Sequence, residues 1–536
     1  MISPARAVRA AFWLTLTLSA AALAAPAARA ETLAEALVLA FDSNPTLQSQ
    51  RAQLRALDAE YAAACAAFGP TVQVQTTASY AKTYLGKDAR ANERITRPVL
   101  PDYVEQNSGQ ANLTLDQTLF SGGRMSADLS AAEAKLRAGR EALRATEGNV
   151  LLAVIQAYAD VRRDQQALEV RQTNLEALEQ QLAETRARLK AGEVTRTDEA
   201  QAEAQLALER SLYAQAQAQL MTSRANYAAL VGRNPEDLKP EPQFASLPKT
   251  VDEAFDAAET ESPDLRQARF TEVESRAKVS SARATYGGQI TAHAQVGYSG
   301  SLTPYDPRNL DRAVSGQITY TRPLFTNGLA KAQIEQALQL NTSDRFNIEA
   351  ARRGVVQNVA NAWNQVTATA RSTEAEIEQV KAASVAFNGM RVEYRAGERS
   401  TLDVLIAEET LRDAELALLS ARHDAVVAKA ALLRHMGRLR IEALVEGAPV
   451  YEPATHFKSL VHPLEAPWAP LVRKIDKAAK PKARARTRAA KVKVEPAAKA
   501  AETAAPTDLN TRPFAETSPL APITTGVSSV PQSHQP

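Results

Sequence analysis

A single cysteine, Cys65, stands among 536 residues. A disulfide framework is excluded, and Cys65 lies too far along the chain to carry a lipid just after a leader peptide. Aromatic residues make up only 5% and the 45% apolar content leans on alanine, so large compact cores are not expected. The six histidines, His293, His423, His435, His456, His462 and His534, show no metal-ligand spacing such as H-E-x-x-H; His423 and His435 read as helix-surface residues. No phosphate-cradling glycine loop precedes a helix, and no G-x-S-x-G elbow occurs. The chain is therefore expected to be no enzyme and to hold no cofactor. After the first thirty residues no stretch approaches the ~20 apolar residues of a membrane helix, so any membrane span has to be built of strands. The net charge of +2 conceals a split: residues 473–499 carry eleven Lys and Arg against Asp476 and Glu495, which leaves the rest net acidic.

What is present begins with a targeting pattern. Arg6 and Arg9, the apolar run Ala10–Ala25 and then Ala28-Arg29-Ala30 follow the order of a secretory signal over residues 1–30. A short buried helix would explain the run but not its flanks. The remainder is a duplication. Shifted by 205 positions, Leu119-Phe120 falls on Leu324-Phe325, Tyr158 on Trp363, Ala191-Gly192-Glu193 on Ala396-Gly397-Glu398, Asp198 on Asp403 and Gly232-Arg233 on Gly437-Arg438. Upstream the offset is 218, placing Thr32-Leu33 over Thr250-Val251 and Pro45-Thr46-Leu47 over Pro263-Asp264-Leu265. The first copy thus carries 13 extra residues, within roughly 81–107.

Residues 31–67 carry leucines on a helical period, with Asn44-Pro45 as a bend. After Phe68-Gly69 the period becomes two: Val72, Val74, Ala78 and Tyr80 alternate with polar residues, as do Leu113, Leu115 and Leu119, giving a strand pair over about 70–119. Ile290, Ala292, Val296 and Tyr298, then Ile318, Tyr320 and Leu324, repeat this over about 288–325. Runs of about ten residues suit tilted transmembrane strands of ~9–11 residues, and equally ordinary half-exposed hairpins. Ser121-Gly122-Gly123 and Thr326-Asn327-Gly328 then hand over to long helical hairpins at 121–232 and 326–437. Their seams recur every seven residues, as at Leu168, Leu175, Leu182 and Leu189. The polar faces away from the seams fit a solvated coiled coil, and also a wall wet on both sides. The expected divisions are a first repeat at 31–248, a second at 249–440, an extension at 441–472 and a tail at 473–536, basic and then Pro-, Ser- and Thr-rich, disordered and solvated.

Four candidate strands cannot close a barrel, which needs at least ~8 because open edges are not tolerated in lipid. A chain spanning a membrane this way has to assemble cyclically; two copies give a barrel filled by its own side chains, and three leave room for a passage. Asn44-Pro45, Leu119-Phe120-Ser121-Gly122-Gly123, Tyr394-Arg395-Ala396-Gly397 and Thr401-Leu402-Asp403-Val404-Leu405, in this order within a duplicated chain, make residues 31–440 resemble the TolC family of outer-membrane channels. The lack of a cysteine after the signal is similar to the family's non-lipidated branch.

The resemblance implies a mainly α fold with transmembrane β, in which each repeat is a strand pair plus long coiled-coil helices. Three chains would form a twelve-stranded barrel in the outer membrane and an α-helical tunnel across the periplasm. It implies a homotrimer in contact with outer-membrane lipid, a periplasmic adaptor and an inner-membrane pump of the ABC or RND class; a secreted chain argues against nucleic acid. The implied function is a passive exit duct for efflux or type I secretion, gated at its periplasmic helical tip. By the same resemblance Tyr394 and Arg399 match gate residues that tie to Thr197 and Asp198 of the first hairpin, with Arg399 to Asp198 as a charge-assisted lock; an ordinary surface ion pair is the alternative. Asp403 matches a constriction acid, which in a trimer becomes a ring of carboxylates. Ile406 departs from the family, standing where a second acid is expected one turn later, and puts an apolar constriction in its place. The competing reading is a periplasmic coiled-coil adaptor, although adaptors carry one hairpin flanked by β-rich modules. The cargo, drugs or a polypeptide, is not written in the sequence.

Overall fold

The computed structural model describes residues 31–478 except 85–102, 241–243, 245–246, 303–305, 307, 309, 449, 454 and 458–465. The expected signal at 1–30, most of the first-copy insertion and the chain from 479 lie outside the described residues. Helix α1 (Leu33–Ser43) starts at Thr32, whose hydroxyl accepts from the Glu35 amide (3.2 Å) while the Glu35 carboxylate accepts from the Thr32 amide (3.0 Å). Pro45 disfavours a helical Asn44, so the chain breaks here rather than bends. Asn44 is extended, and its carboxamide oxygen caps α2 (Pro45–Ala66) by accepting from the Thr46 amide at 2.9 Å.

Strands β1 (Thr71–Tyr84) and β2 (Tyr103–Phe120), then helices α3 (Arg124–Ala191) and α4 (Arg196–Val231), complete the first copy. The second copy follows as α5 (Val251–Glu261), α6 (Pro263–Ala284), β3 (Gln289–Ser301), β4 (Asp311–Thr321), α7 (Leu329–Arg395) and α8 (Thr401–Met436). Equivalent helices have 11, 22, 68 and 36 residues in the first copy and 11, 22, 67 and 36 in the second. Helices α9 (Ile441–Leu444) and α10 (Ala469–Ala478) come last.

At ~1.5 Å per residue α3 runs about 100 Å, longer than any neighbour in its own repeat. Two helices end to end make up the difference. Asn44 Nδ2 donates to the Leu230 carbonyl (3.1 Å) and Ser43 Oγ to that of Val231 (3.3 Å), so α2 begins where α4 stops. Helix α6 continues α8 in the same way, and there Arg434 and Arg438 pair with Asp264 (2.8 Å) and Glu261 (3.0 Å) across the joint. Gly437 makes this joint possible: it sits at φ +79°, and a Cβ would lie 2.5 Å from the Glu261 carbonyl oxygen. The outcome is four helical columns side by side: α4 with α2, then α3, then α8 with α6, then α7.

The strands follow the same order, β1-β2-β3-β4, all antiparallel. Their 14, 18, 13 and 11 residues exceed the ten-residue apolar runs because pairing continues through polar ends, as far as Tyr84 opposite Tyr103. Register places Val74, Leu113, Val296 and Val314 in one row across the sheet, and Gln73, Thr114, Gln295 and Ser315 in the next row on the opposite face. One face of the sheet is therefore apolar and the other polar. Among the described residues, the outer edges of β1 and β4 have no strand beside them.

The turn from β2 into α3 is pinned from far along the chain. Gly123, the N-cap of α3, offers no side chain, and the fully buried Asp476 of α10 supplies the missing carboxylate. Its Oδ1 accepts from the Ser121 amide and hydroxyl (both 2.8 Å) and the Gly123 amide (3.1 Å), and its Oδ2 from the Ser126 amide (3.0 Å) and hydroxyl (2.8 Å). Burial pushes the Asp476 pKa up, but the bonds from Ser126 and Ser121 outweigh it and hold the carboxyl below its usual range. Ala469 and Val472 seat the same helix on Phe68 and Met125. Helix α10 thus crosses position 473, where composition suggests a disordered tail begins. The inward stripe Ala469, Val472 and Asp476 keeps helical spacing but is masked by the cations around it.

Replacing Asp476 by Ala strands three amides and two hydroxyls and is expected to lower stability by roughly 3 kcal/mol, with Asp476→Asn losing less because it keeps an acceptor. Because the folded pKa is depressed, the native contribution is present above the ordinary carboxylate range and is lost as pH falls through the folded value. Thermal unfolding followed by circular dichroism checks this order; equal midpoints for Asp476→Ala and the parent chain would remove the clamp.

Candidate functional site: the hairpin tips and the seam between them

Each helical hairpin turns at a capped tip. In the first, the Thr195 hydroxyl accepts from the Asp198 amide (3.3 Å) and Asp198 Oδ2 accepts from the Thr195 amide and hydroxyl (both 2.8 Å), opening α4. In the second, Asp403 Oδ2 accepts from the Ser400 amide (3.1 Å) and hydroxyl (2.8 Å), opening α8. Bonds from the Thr195 amide and hydroxyl hold Asp198, and bonds from the Ser400 hydroxyl and amide hold Asp403, below the usual carboxylate range. Both acids thus share a helix-capping role at equivalent places in the repeat.

The other tip residues are placed as follows. Thr197 is exposed. Arg399 pairs with Glu393 of its own hairpin at 2.8 Å, with Asp403 and Glu398 nearby; within one protomer Asp198 is not among its partners. Tyr394 does reach the first hairpin, but at Arg188, whose guanidinium lies 5.1 Å from the ring centre. Its hydroxyl accepts from that of Thr401 at 3.5 Å. Ile406 is exposed, four residues from the exposed Leu402, so the two form an apolar step beside Asp403.

The sequence marks Leu182 as a seam position and Leu405 as part of a motif, but does not show that such residues join the two hairpins. Leu405 of α8 inserts among Leu178, Leu182, Ala202 and Leu206 of the first hairpin. Glu408 is buried at the same seam, and burial lifts its pKa against the pull of Arg412 and Arg391. Glu209 is buried near it, paired with Arg171 at 3.2 Å. Further from the tip, His423 of α8 is no surface residue: it lies 3.0 Å from Asp160 of α3 and 2.9 Å from Asp424, with a side chain only 9% exposed. A signal existed, since Val404, Leu405, Glu408 and Leu411 share one helical face and Glu408 occupies a seam position on it. In a Gln- and Glu-rich chain one acid on that face carries no mark of its own. Among the described residues, no group of three or more His, Cys, Asp and Glu is placed to hold a metal ion, and no helix is long and apolar enough to cross a membrane.

The family model described as "Outer membrane efflux protein" matches residues 36–233 and 254–438, one stretch per repeat. Outer membrane efflux protein BepC of Brucella suis biovar 1 is 32% identical over 443 residues, covering 83% of this chain and 93% of that protein. Alkaline protease secretion protein AprF of Pseudomonas aeruginosa is 25% identical over 355 residues, covering 65% of this chain and 73% of its own. Among solved structures, the Campylobacter jejuni CmeC outer membrane channel is alike in fold, with a TM-score of 0.68 at 14% identity over 81% of this chain and 90% of that one.

The His423 link carries a pH dependence. Burial pushes its pKa down, and the contacts with Asp160 and Asp424 outweigh this and leave it raised. A raised folded pKa gives stability that is present below the ordinary histidine range and is lost as pH climbs through the folded value. Thermal midpoints of the parent chain are expected to fall as pH rises through and above the ordinary histidine range, and those of His423→Gln to lose this slope. A slope that survives the substitution assigns it to another group.

Proposed function

The chain belongs to the outer membrane efflux protein family, the TolC family of outer-membrane channels, and from that premise we propose that three copies form the passive exit duct of a tripartite efflux or type I secretion system. It is an outer-membrane protein with an efflux or secretion channel role. In the proposed assembly the strands of three protomers close a twelve-stranded barrel, and the helical columns below them form a tunnel across the periplasm. A periplasmic adaptor and an inner-membrane ABC or RND pump engage the tips. The names of the relatives divide between efflux, for BepC, and protease secretion, for AprF; the duct is read as taking its cargo from its pump.

The observation that carries this reading is the matched pair of open edges. Among the described residues, strands β1 and β4 lack outer neighbours, and column α4 with α2 and column α7 end the row of helices on the same two sides. A sheet with one apolar and one polar face, repeated round a closed ring, turns lipid outward and water inward. Three copies leave a wider lumen than two, which suits a passage. At the tips, the gate is proposed to work where neighbouring copies meet: Arg399 and Tyr394 of the second hairpin face Thr197 and Asp198 of a first hairpin, and Asp403 forms the charged ring with Ile406 as an apolar step beside it.

Protein extracted from outer membrane is expected to have the mass of three chains and to give stepwise conductance in planar bilayers; a non-conducting monomer would sink the duct. In the same bilayers Arg399→Ser with Tyr394→Phe is expected to raise closed-state conductance, and an unchanged current takes both residues out of the gate. For the ring, Asp403→Asn keeps a capping acceptor while removing the charge, so stability should change little. Cation preference and block by multivalent cations should both weaken. Retained selectivity would put the filter elsewhere.

A further inference from the structure

Helix α10 is clamped on one side by Asp476 and open on others. Trp468, Leu471 and Ile475 keep helical spacing and form an apolar flank about a quarter-turn round from the buried Ala469, Val472 and Asp476. They are 47%, 61% and 48% exposed. Lys474 and Lys477 are exposed on the side away from the core. Beyond α10 the sequence adds eight more Lys and Arg by position 499, against the single Glu495.

The position of α10 gives this flank a meaning. Trp468 Nε1 donates to Gln117 Oε1 at 3.2 Å. Gln117 pairs with Ala292, and Ala292 with Ile318, on the face that also carries Leu113 and Leu115. Helix α10 therefore stands on the apolar side of the sheet, at the end where β2 passes into α3. A tryptophan with its N–H satisfied, apolar neighbours on one flank and lysines alongside suits the boundary between lipid and water. The one acid of α10, Asp476, is turned inward and consumed by Ser121, Gly123 and Ser126, so nothing on this helix opposes an anion.

We propose that α10 is an interfacial anchor for anionic phospholipid headgroups at the foot of the sheet. Trp468, Leu471 and Ile475 enter the headgroup boundary, and Lys474 and Lys477 hold phosphate. The assignment rests on the apolar face of the sheet being its lipid-facing one.

The test uses the full chain in phosphatidylcholine vesicles containing brominated phosphatidylglycerol, with Trp13→Phe and Trp363→Phe so that Trp468 is the single tryptophan. Bromines near the glycerol end are expected to halve Trp468 emission at least. Lys474→Gln with Lys477→Gln should lower the preference for phosphatidylglycerol over phosphatidylcholine on the order of tenfold. A second reporter, Val314→Trp with Trp468→Phe added, reads the sheet face. If bromines at the chain centre quench that reporter and none quench Trp468, the anchor is overturned and the sheet reading stands; if neither reporter is quenched, both fall. Trp468 shielded within the detergent-solubilised oligomer, or protected only by added peptidoglycan, assigns the flank to a second copy or to cell wall and overturns the lipid assignment.

Discussion

A strand edge in hydrocarbon leaves backbone N–H and C=O groups without partners, at several kcal/mol each. The design of this chain answers to that constraint. The open edges belong to β1 and β4, 14 and 11 residues long, and the described residues hold no further strand to cover them. In the proposed assembly, other copies of the chain meet this demand in lipid. The same logic runs down into the helices, because strand order and column order agree. An assembly that closes the sheet also brings α7 of one copy towards α4 and α2 of the next.

In the proposed assembly, duplication makes such a closure economical, since the contact between repeats inside one chain would serve as a template for the contact between chains. Leu119 and Phe120 of the first copy are partly covered, with Phe120 paired across the sheet to Ile290 of the second. Their mates Leu324 and Phe325 are 91% and 85% exposed. Leu151 is fully buried, and its mate Val356 is half exposed. Residues at matching positions thus differ in burial because one has its neighbouring repeat present and the other does not. At ~25 cal/mol per Å² of apolar surface, covering these side chains adds a hydrophobic contribution to the backbone pairing that closure requires.

The periodic parts of the molecule were the legible ones. Alternation at Val72, Val74, Leu113 and Leu115 announced strands because a half-exposed sheet repeats every two residues, and the leucine heptads announced the hairpins for the matching helical reason. Thr195 with Asp198, and Ser400 with Asp403, fit a capping pattern readable from spacing alone; the resemblance drew attention instead to what the acids offer a pore. Asp476 left no periodic trace. A lone acid at the start of a basic segment looks like noise, and its five bonds depend on a turn some 350 positions earlier in the chain. The partners of Arg399 and Tyr394 escaped for another reason: resemblance transfers which residues matter at a tip, whereas Glu393 and Arg188 are chosen by local side-chain reach.

The repeats differ most tellingly at one acid. Glu203 and Glu408 occupy the same position in the duplication, yet Glu203 sits at the surface with Arg186, while Glu408 is buried between the hairpins with its pKa raised by desolvation. Leu405 draws α8 onto the first hairpin by ordinary apolar burial. Glu408, one turn away, opposes it, because a carboxylate kept from water penalises the closed seam. Movement of α8 away from α3 and α4 restores hydration to Glu408 and offsets part of what the exposure of Leu405 costs. A leucine at position 408 would make the seam tighter and the hairpin harder to move. An acid there narrows the difference between joined and parted hairpins, which is the property the proposed gate needs if contacts at the tip are to tip the balance.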